Sequence, residues 1–185
     1  MSLTNTIEQF KDEFYQSTKK NMIFKKAQKQ DCAKFICEKF DINQLLANTI
    51  LQIPNTNKIY INYPLLKSFA YDENYDCILE FIIKTINQCI QNKGDYEVHM
   101  NIKSFTVSAI ERYKPLMMKY CQLLGNDTTF SERMTKMYIY HIPVVFDMIK
   151  KIAKPCINPL VNAKINIVPN DESDKKLDEL LGNNK

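Results

Sequence analysis

The sequence predicts an α/β domain: a mainly parallel sheet of about four or five strands covered by helices, with an N-terminal helical segment in front of it. Three observations lead there. Residues 134–168 read as a strand-like run (Met134–His141), an amphipathic run (Val144–Lys154) and a second strand-like run (Ala163–Val168). Prolines 143, 155 and 159 separate these pieces, as expected of a residue that starts helices well and cannot continue them. Two further strand-then-helix segments precede them, and strands joined by helical crossovers belong to parallel sheets.

Residues 1–52 contain neither glycine nor an internal proline and carry three helical stripes. The first is Ile7, Phe10 and Phe14, the second Cys32, Phe35, Ile36 and Phe40, and the third Ile42, Leu45, Leu46, Thr49 and Ile50, with Asp41 as the expected N-cap of the last. Ile53–Asn57, with Pro54 and a polar Asn-Thr-Asn, reads as a linker. It divides a helical segment, 1–52, from a main domain, 53–185.

Within the main domain, Lys58–Phe69 reads as a strand interrupted by Tyr63-Pro64. Tyr75–Lys93 is a helix with a broad apolar stripe that requires deep burial. Tyr96–Phe105 is the next strand, with Val98, Met100 and Ile102 on one face. Thr106–Leu124 is a helix broken or kinked near Pro115. A short helix over Asp174–Leu181 closes the chain.

Composition narrows the function. The chain of 185 residues suits one domain, and a net charge of +4, from 25 basic and 21 acidic residues, is too small a surplus for a dedicated nucleic-acid protein. No leading apolar run marks a signal peptide and no stretch of about 18 apolar residues marks a membrane span, so a cytoplasmic protein is expected. The six cysteines include no C-x-x-C pair, and with only His99 and His141 beside them they predict buried thiols and no metal site.

Only three glycines occur, Gly94, Gly125 and Gly182, each at the end of a helical pattern. A dinucleotide fingerprint, a P-loop and a G-x-S-x-G elbow all need more glycines, closer together. Neither histidine has a serine or cysteine beside it at useful spacing, so no enzyme and no cofactor are expected. Of the eight methionines, Met100, Met117, Met118, Met134, Met137 and Met148 fall on elements that should meet around the sheet, where thioethers suit an irregular pocket or an ordinary core.

The run ERM-x-K-x-Y-I (Glu132, Arg133, Met134, Lys136, Tyr138, Ile139), followed by Pro143, Phe146, Lys154-Pro155 and Lys164-Ile165, resembles the second half of the CRAL-TRIO lipid-binding domain. The resemblance implies a sheet that floors a cavity for a hydrophobic ligand, with the 144–154 helix as its gate. It implies a ligand-binding set of Glu132, Lys164, Met134, Tyr138, Phe146, Ile149 and Val161. In this set Lys164 would meet the phosphate of a phospholipid such as phosphatidylinositol, and Glu132 its sugar hydroxyls. The partners it implies are a phospholipid or other hydrophobic ligand and, transiently, a membrane surface. The alternative is a scaffold of the same fold that binds small GTPases or other signalling proteins without lipid.

Three positions depart from the family pattern: Val161 stands in place of threonine, Ser131 of proline and His141 of asparagine. Beyond Val168 the family's Leu-Pro and double-glycine segment is replaced by a polar turn and the short helix.

Overall fold

A computed structural model describes residues 3–18, 25–125, 128–154 and 158–182. Three helices come first: α1 (Leu3–Thr18), α2 (Lys25–Lys39) and α3 (Ile42–Thr49). Asp41 caps α3 as expected, its carboxylate accepting from the Gln44 amide at 3.0 Å. The chain then runs straight into β1 (Ile50–Gln52), which pairs antiparallel with β2 (Lys58–Asn62). Residues 53–57 are therefore the turn of a hairpin, and the 52/53 division falls inside it.

Where a strand was expected through Phe69, β2 ends at Asn62 and α4 (Tyr63–Phe69) begins, with Pro64 in its first turn. Proline has no amide to give a ladder, but the first helical turn needs none. A 3₁₀ turn (Asp72–Asn74) leads into α5 (Tyr75–Lys93), which stops at Gly94 with φ +86°. Next come β3 (Tyr96–Asn101), shorter than expected, and α6 (Val107–Gly125). Helix α6 is continuous through Pro115, because both Pro115 and Glu111, whose carbonyl loses its donor, face solvent. The rest is α7 (Thr128–Arg133), β4 (Met134–Tyr140), α8 (Phe146–Ala153), α9 (Pro159–Asn162), β5 (Ile165–Ile167) and α10 (Asn170–Leu181).

The five strands lie in the order β1-β2-β3-β4-β5, and β2 to β5 are parallel. Parallel strands in sequential order, joined by right-handed crossovers, put every connecting helix on the same face. The core follows from that. Ile59, Val98 and Met137, opposite one another in register, join Ile7, Ile36, Leu45, Phe69, Ile78, Ile86 and Tyr113 in one cluster, so α1 to α6 share a single interior with this face. The alternate residues, Tyr60, His99, Tyr138 and Tyr140, point to the second face. There Tyr60, Tyr140, Val168 and Leu177 form a smaller cluster beneath α10, with Leu51, Ile53, Leu180 and Leu181 at its edge.

Two cationic side chains tie helix ends to the frame. Arg112 of α6, buried and stacked over the Tyr113 ring, donates from Nη2 to the Lys67 carbonyl in the last turn of α4 at 3.1 Å. Lys164 does the same for α7, its ammonium donating to the Ser131 and Glu132 carbonyls. Carbonyls in a last helical turn lack intrahelical partners, and a cation both satisfies them and suits the dipole there.

At Gly94 a Cβ would meet nothing within 4 Å, so the only obstacle is the left-handed backbone. Gly94→Ala should therefore cost about 1–2 kcal/mol with no change in packing. Urea unfolding of the variant, compared with an alanine at the exposed helical position Asn87, measures it.

Candidate ligand site

Helix α8 has the character the sequence suggested, amphipathic and edged with lysine, but it rests loosely on its neighbours. Phe146 and Ile149 are half-buried, Met148 is 49% exposed, and Val144 just before the helix is fully exposed. Lys150, Lys151 and Lys154 are exposed, with the Lys150 ammonium over the Phe146 ring at 5.4 Å and 3.2 Å from Asp147. Among the described residues, the large apolar side chains left exposed are Met118, Leu123, Val144, Met148, Leu160 and Ile167. All six come from α6 through β5. Val144 and Met148, four residues apart around the start of α8 and both exposed, leave this helix with an apolar surface that nothing else in the described chain covers.

The seven expected ligand residues do not all gather there. Phe146 and Ile149 lie on α8, and Val161 of α9 is half-buried against the main core. Met134 is 3% exposed, packed into that core at the start of β4. Tyr138 lies across the sheet from α8, its ring stacked on His99 with centroids 5.0 Å apart and planes 19° apart. Strand alternation, read against Ile59 and Val98, assigns the helix-covered face instead to Met137 and Ile139, with Ile165 and Ile167 beside them in register.

Glu132 and Lys164 are neighbours, through backbone and not through charge. The Lys164 ammonium donates to the carbonyls of Ser131 (2.8 Å), Glu132 (3.2 Å) and Met134 (2.5 Å), which uses all three of its protons. The Glu132 carboxylate points into solvent. Two shallow depressions open to solvent, one along Glu80, Ile83, Lys84, Asn87, Gln88 and Gln91 of α5 and one at the β1–β2 turn, contain none of the seven. The Cys156 thiol and the Pro155 stop lie outside the described residues.

The second face holds a polar network that spacing in the sequence did not reveal. His99, 4% exposed, has Nε2 2.6 Å from the Glu97 carboxylate and Nδ1 2.7 Å from the Tyr140 hydroxyl. Burial lowers the His99 pKa, with Glu97 acting against it, and burial pushes the Tyr140 phenol up to about 12. Further along, Asn101 Nδ2 donates to the Tyr60 hydroxyl, and His141 contacts both Asn101 and Asp174. The only hint in the sequence was the alternation of Glu97, His99 and Asn101 with apolar residues. Among the described residues, no group of three histidine, cysteine or acidic side chains could hold a metal ion, and no helix is long and apolar enough to cross a membrane. Cys32, Cys37 and Cys89 have thiol pKa values raised by burial, Cys37 to about 11, so these thiols are poor nucleophiles.

This fold, with an amphipathic helix between β4 and β5 of a mostly parallel sheet, is that of an α/β domain. The CRAL/TRIO domain model matches residues 62–185, more than half of the chain, and the chain belongs to that family of lipid-binding domains. Its fold is similar to the crystal structure of Sfh5, a yeast Sec14-like protein, with a TM-score of 0.59 at 13% identity, covering 98% of this chain and 69% of that one. No curated protein sequence matches.

Because the folded-state pKa of His99 is lowered, the fold resists its protonation. Stability should be full above the ordinary imidazole value and fall as pH drops through it, levelling off below the lowered value. Unfolding midpoints at a series of pH values should show this fall, and His99→Gln should flatten it relative to the parent.

Proposed function

We propose that the protein is a non-enzymatic carrier of a hydrophobic lipid, working in the cytoplasm and meeting membranes transiently through the α8 end of the sheet. The observation that carries this reading is the confinement of exposed large apolar side chains to 118–167, with Val144 and Met148 beside Lys150, Lys151 and Lys154. Apolar side chains ringed by ammonium groups suit an acyl chain entering from an anionic bilayer surface. Each buried methylene contributes ~0.8 kcal/mol, so ten contribute about 8 kcal/mol before ordering costs, and the headgroup selects more than it holds.

For the headgroup we favour a phosphoinositide, held by Lys164 and Glu132 at the root of β4. Both are near the surface beside α7 and α9, and a phosphate would draw the ammonium away from carbonyls it now caps. Met137, Ile139, Phe146, Ile149 and Val161 would face the chain. The scaffold alternative, with a small GTPase on the exposed face of α8, predicts the opposite result in the first experiment below.

Protein purified from bacterial and from eukaryotic cells should yield an amphiphile on solvent extraction or in native mass spectra. Clean apoprotein from both sources would favour the scaffold. Val144→Asp with Met148→Asp, both at exposed positions, should leave the unfolding midpoint nearly unchanged while slowing lipid transfer between vesicles at least about tenfold, the cost of setting charges into an apolar contact. Lys164→Met should abolish phosphatidylinositol transfer and spare phosphatidylcholine. Equal loss of both would leave the lysine as a helix cap alone.

A further inference from the structure

We propose that His141 is a proton-operated latch that fastens α10, and with it the connection leading into α8, to the ends of β3 and β4. The argument begins at Asn101. Its Oδ1 accepts from the Lys103 backbone amide at 3.0 Å, a donor whose direction is fixed, while its Nδ2 faces the Tyr60 hydroxyl at 3.3 Å. Turning the amide over would set its NH₂ against the Lys103 N–H, so the oxygen must be the atom that faces His141. His141 Nδ1, 3.0 Å from that oxygen, is therefore a donor.

The other ring nitrogen, Nε2, lies 2.9 Å from the Asp174 carboxylate on α10. It too needs a proton to bond. Only the imidazolium donates at both nitrogens, and a neutral ring would satisfy Asn101 and turn a lone pair toward the carboxylate, or the reverse. The groups facing His141 are thus Asn101 from β3, with Tyr60 of β2 behind it, and Asp174 and Ser173 from α10. Lys103, on the β3–α6 loop, reaches the same Asp174 oxygen at 3.5 Å. The Asp174 carboxyl is held below its usual range, chiefly by the His141 hydrogen bond and then by Lys103.

The backbone is drawn into the same clasp. The His141 N–H donates to Ser173 Oγ at 3.1 Å, Ser173 donates on to the Pro169 carbonyl, and Asn170 Nδ2 donates to the Ile142 carbonyl at 3.0 Å. His141 itself sits at φ +54°, a conformation a side chain other than glycine's adopts only when held there. Residues 141 and 142 begin the segment that ends at α8. Loss of the ring proton leaves one ring nitrogen unable to donate and removes the charge-assisted part of the His141–Asp174 contact, with only the longer Lys103 contact still charged, and so loosens both the first turns of α10 and the root of the α8 connection.

Two readouts on the full chain test this. Imidazole carbon resonances give the ionisation of His141 from about pH 5 to about pH 9, and hydrogen exchange by mass spectrometry, normalised for the intrinsic rate, gives the opening of 170–181. Exchange of α10 should rise about tenfold as the ring loses its proton, the weight of one charge-assisted hydrogen bond, while α5 stays unchanged. Asp174→Asn, at an exposed position that leaves the fold intact, and His141→Gln should both remove this dependence. Exchange of α10 that follows α5 through the titration, or a dependence that survives in both variants, overturns the latch. Control of α8 rests on the carrier reading and has its own arm: vesicle transfer should quicken on deprotonation in the parent and not in His141→Gln. Transfer that ignores pH while α10 responds overturns the control of α8 alone, and absence of transfer at any pH counts against the carrier reading, leaving the exchange result to decide the latch.

Discussion

Handedness shapes this molecule more than any single contact. Four parallel strands laid down in chain order, with the right-handed crossovers that such connections take, send their connecting helices to one side. That side acquires the large apolar interior, and the N-terminal helices pack into it as well. Among the described residues, the reverse side is covered by the twelve-residue helix α10 and by no crossover. Its residues answer to that half-covered state: tyrosine, histidine, asparagine and glutamate, hydrogen-bonded to one another where Ile, Val and Met stand opposite.

The same asymmetry divides the chemistry. Beneath the crossovers α3, α4 and α5 bury Leu45, Leu46, Leu65 and Ile78 together with the rings of Tyr63, Phe69 and Tyr75, whereas α6, α8, α9 and β5 each leave a large apolar side chain exposed. Burial is thus more complete on the earlier elements of the chain than on the later ones. Beta-strand β5 contributes to this, since three residues at a sheet edge cover little, and Ile167 remains open to solvent.

Much of this was legible in residue order. The class of fold, the strand–helix–strand run after Phe130, the cap at Asp41 and the family were all readable, because hydrophobic period and proline placement are local signals. What escaped was non-local. Ile50–Gln52 continues a helical stripe in sequence and becomes a strand only because β2 returns beside it. Tyr63-Pro64 interrupts a strand pattern in a way that a helix start explains better, a choice settled by what α4 packs against. At the candidate site Phe146 and Val161 were placed by the family resemblance, and Ile149 by resemblance together with the amphipathic pattern of 144–154. Tyr138 was matched by motif and assigned no face, and only pairing with β3 shows it turned away from α8. The carbonyl-capping role of Lys164 had no sequence signal, since it depends on where a helix ends thirty residues earlier.

The stacked rings of His99, Tyr138 and Tyr140 have a practical side. The chain has ten tyrosines and no tryptophan, so its near-ultraviolet absorption carries no indole band to mask the phenols. Two of those phenols are locked face to face with an imidazole beneath α10, in a chiral arrangement that a loosened helix would no longer hold. Circular dichroism around the phenol band thus becomes an intrinsic optical gauge of order on the thinly covered side, with no label attached.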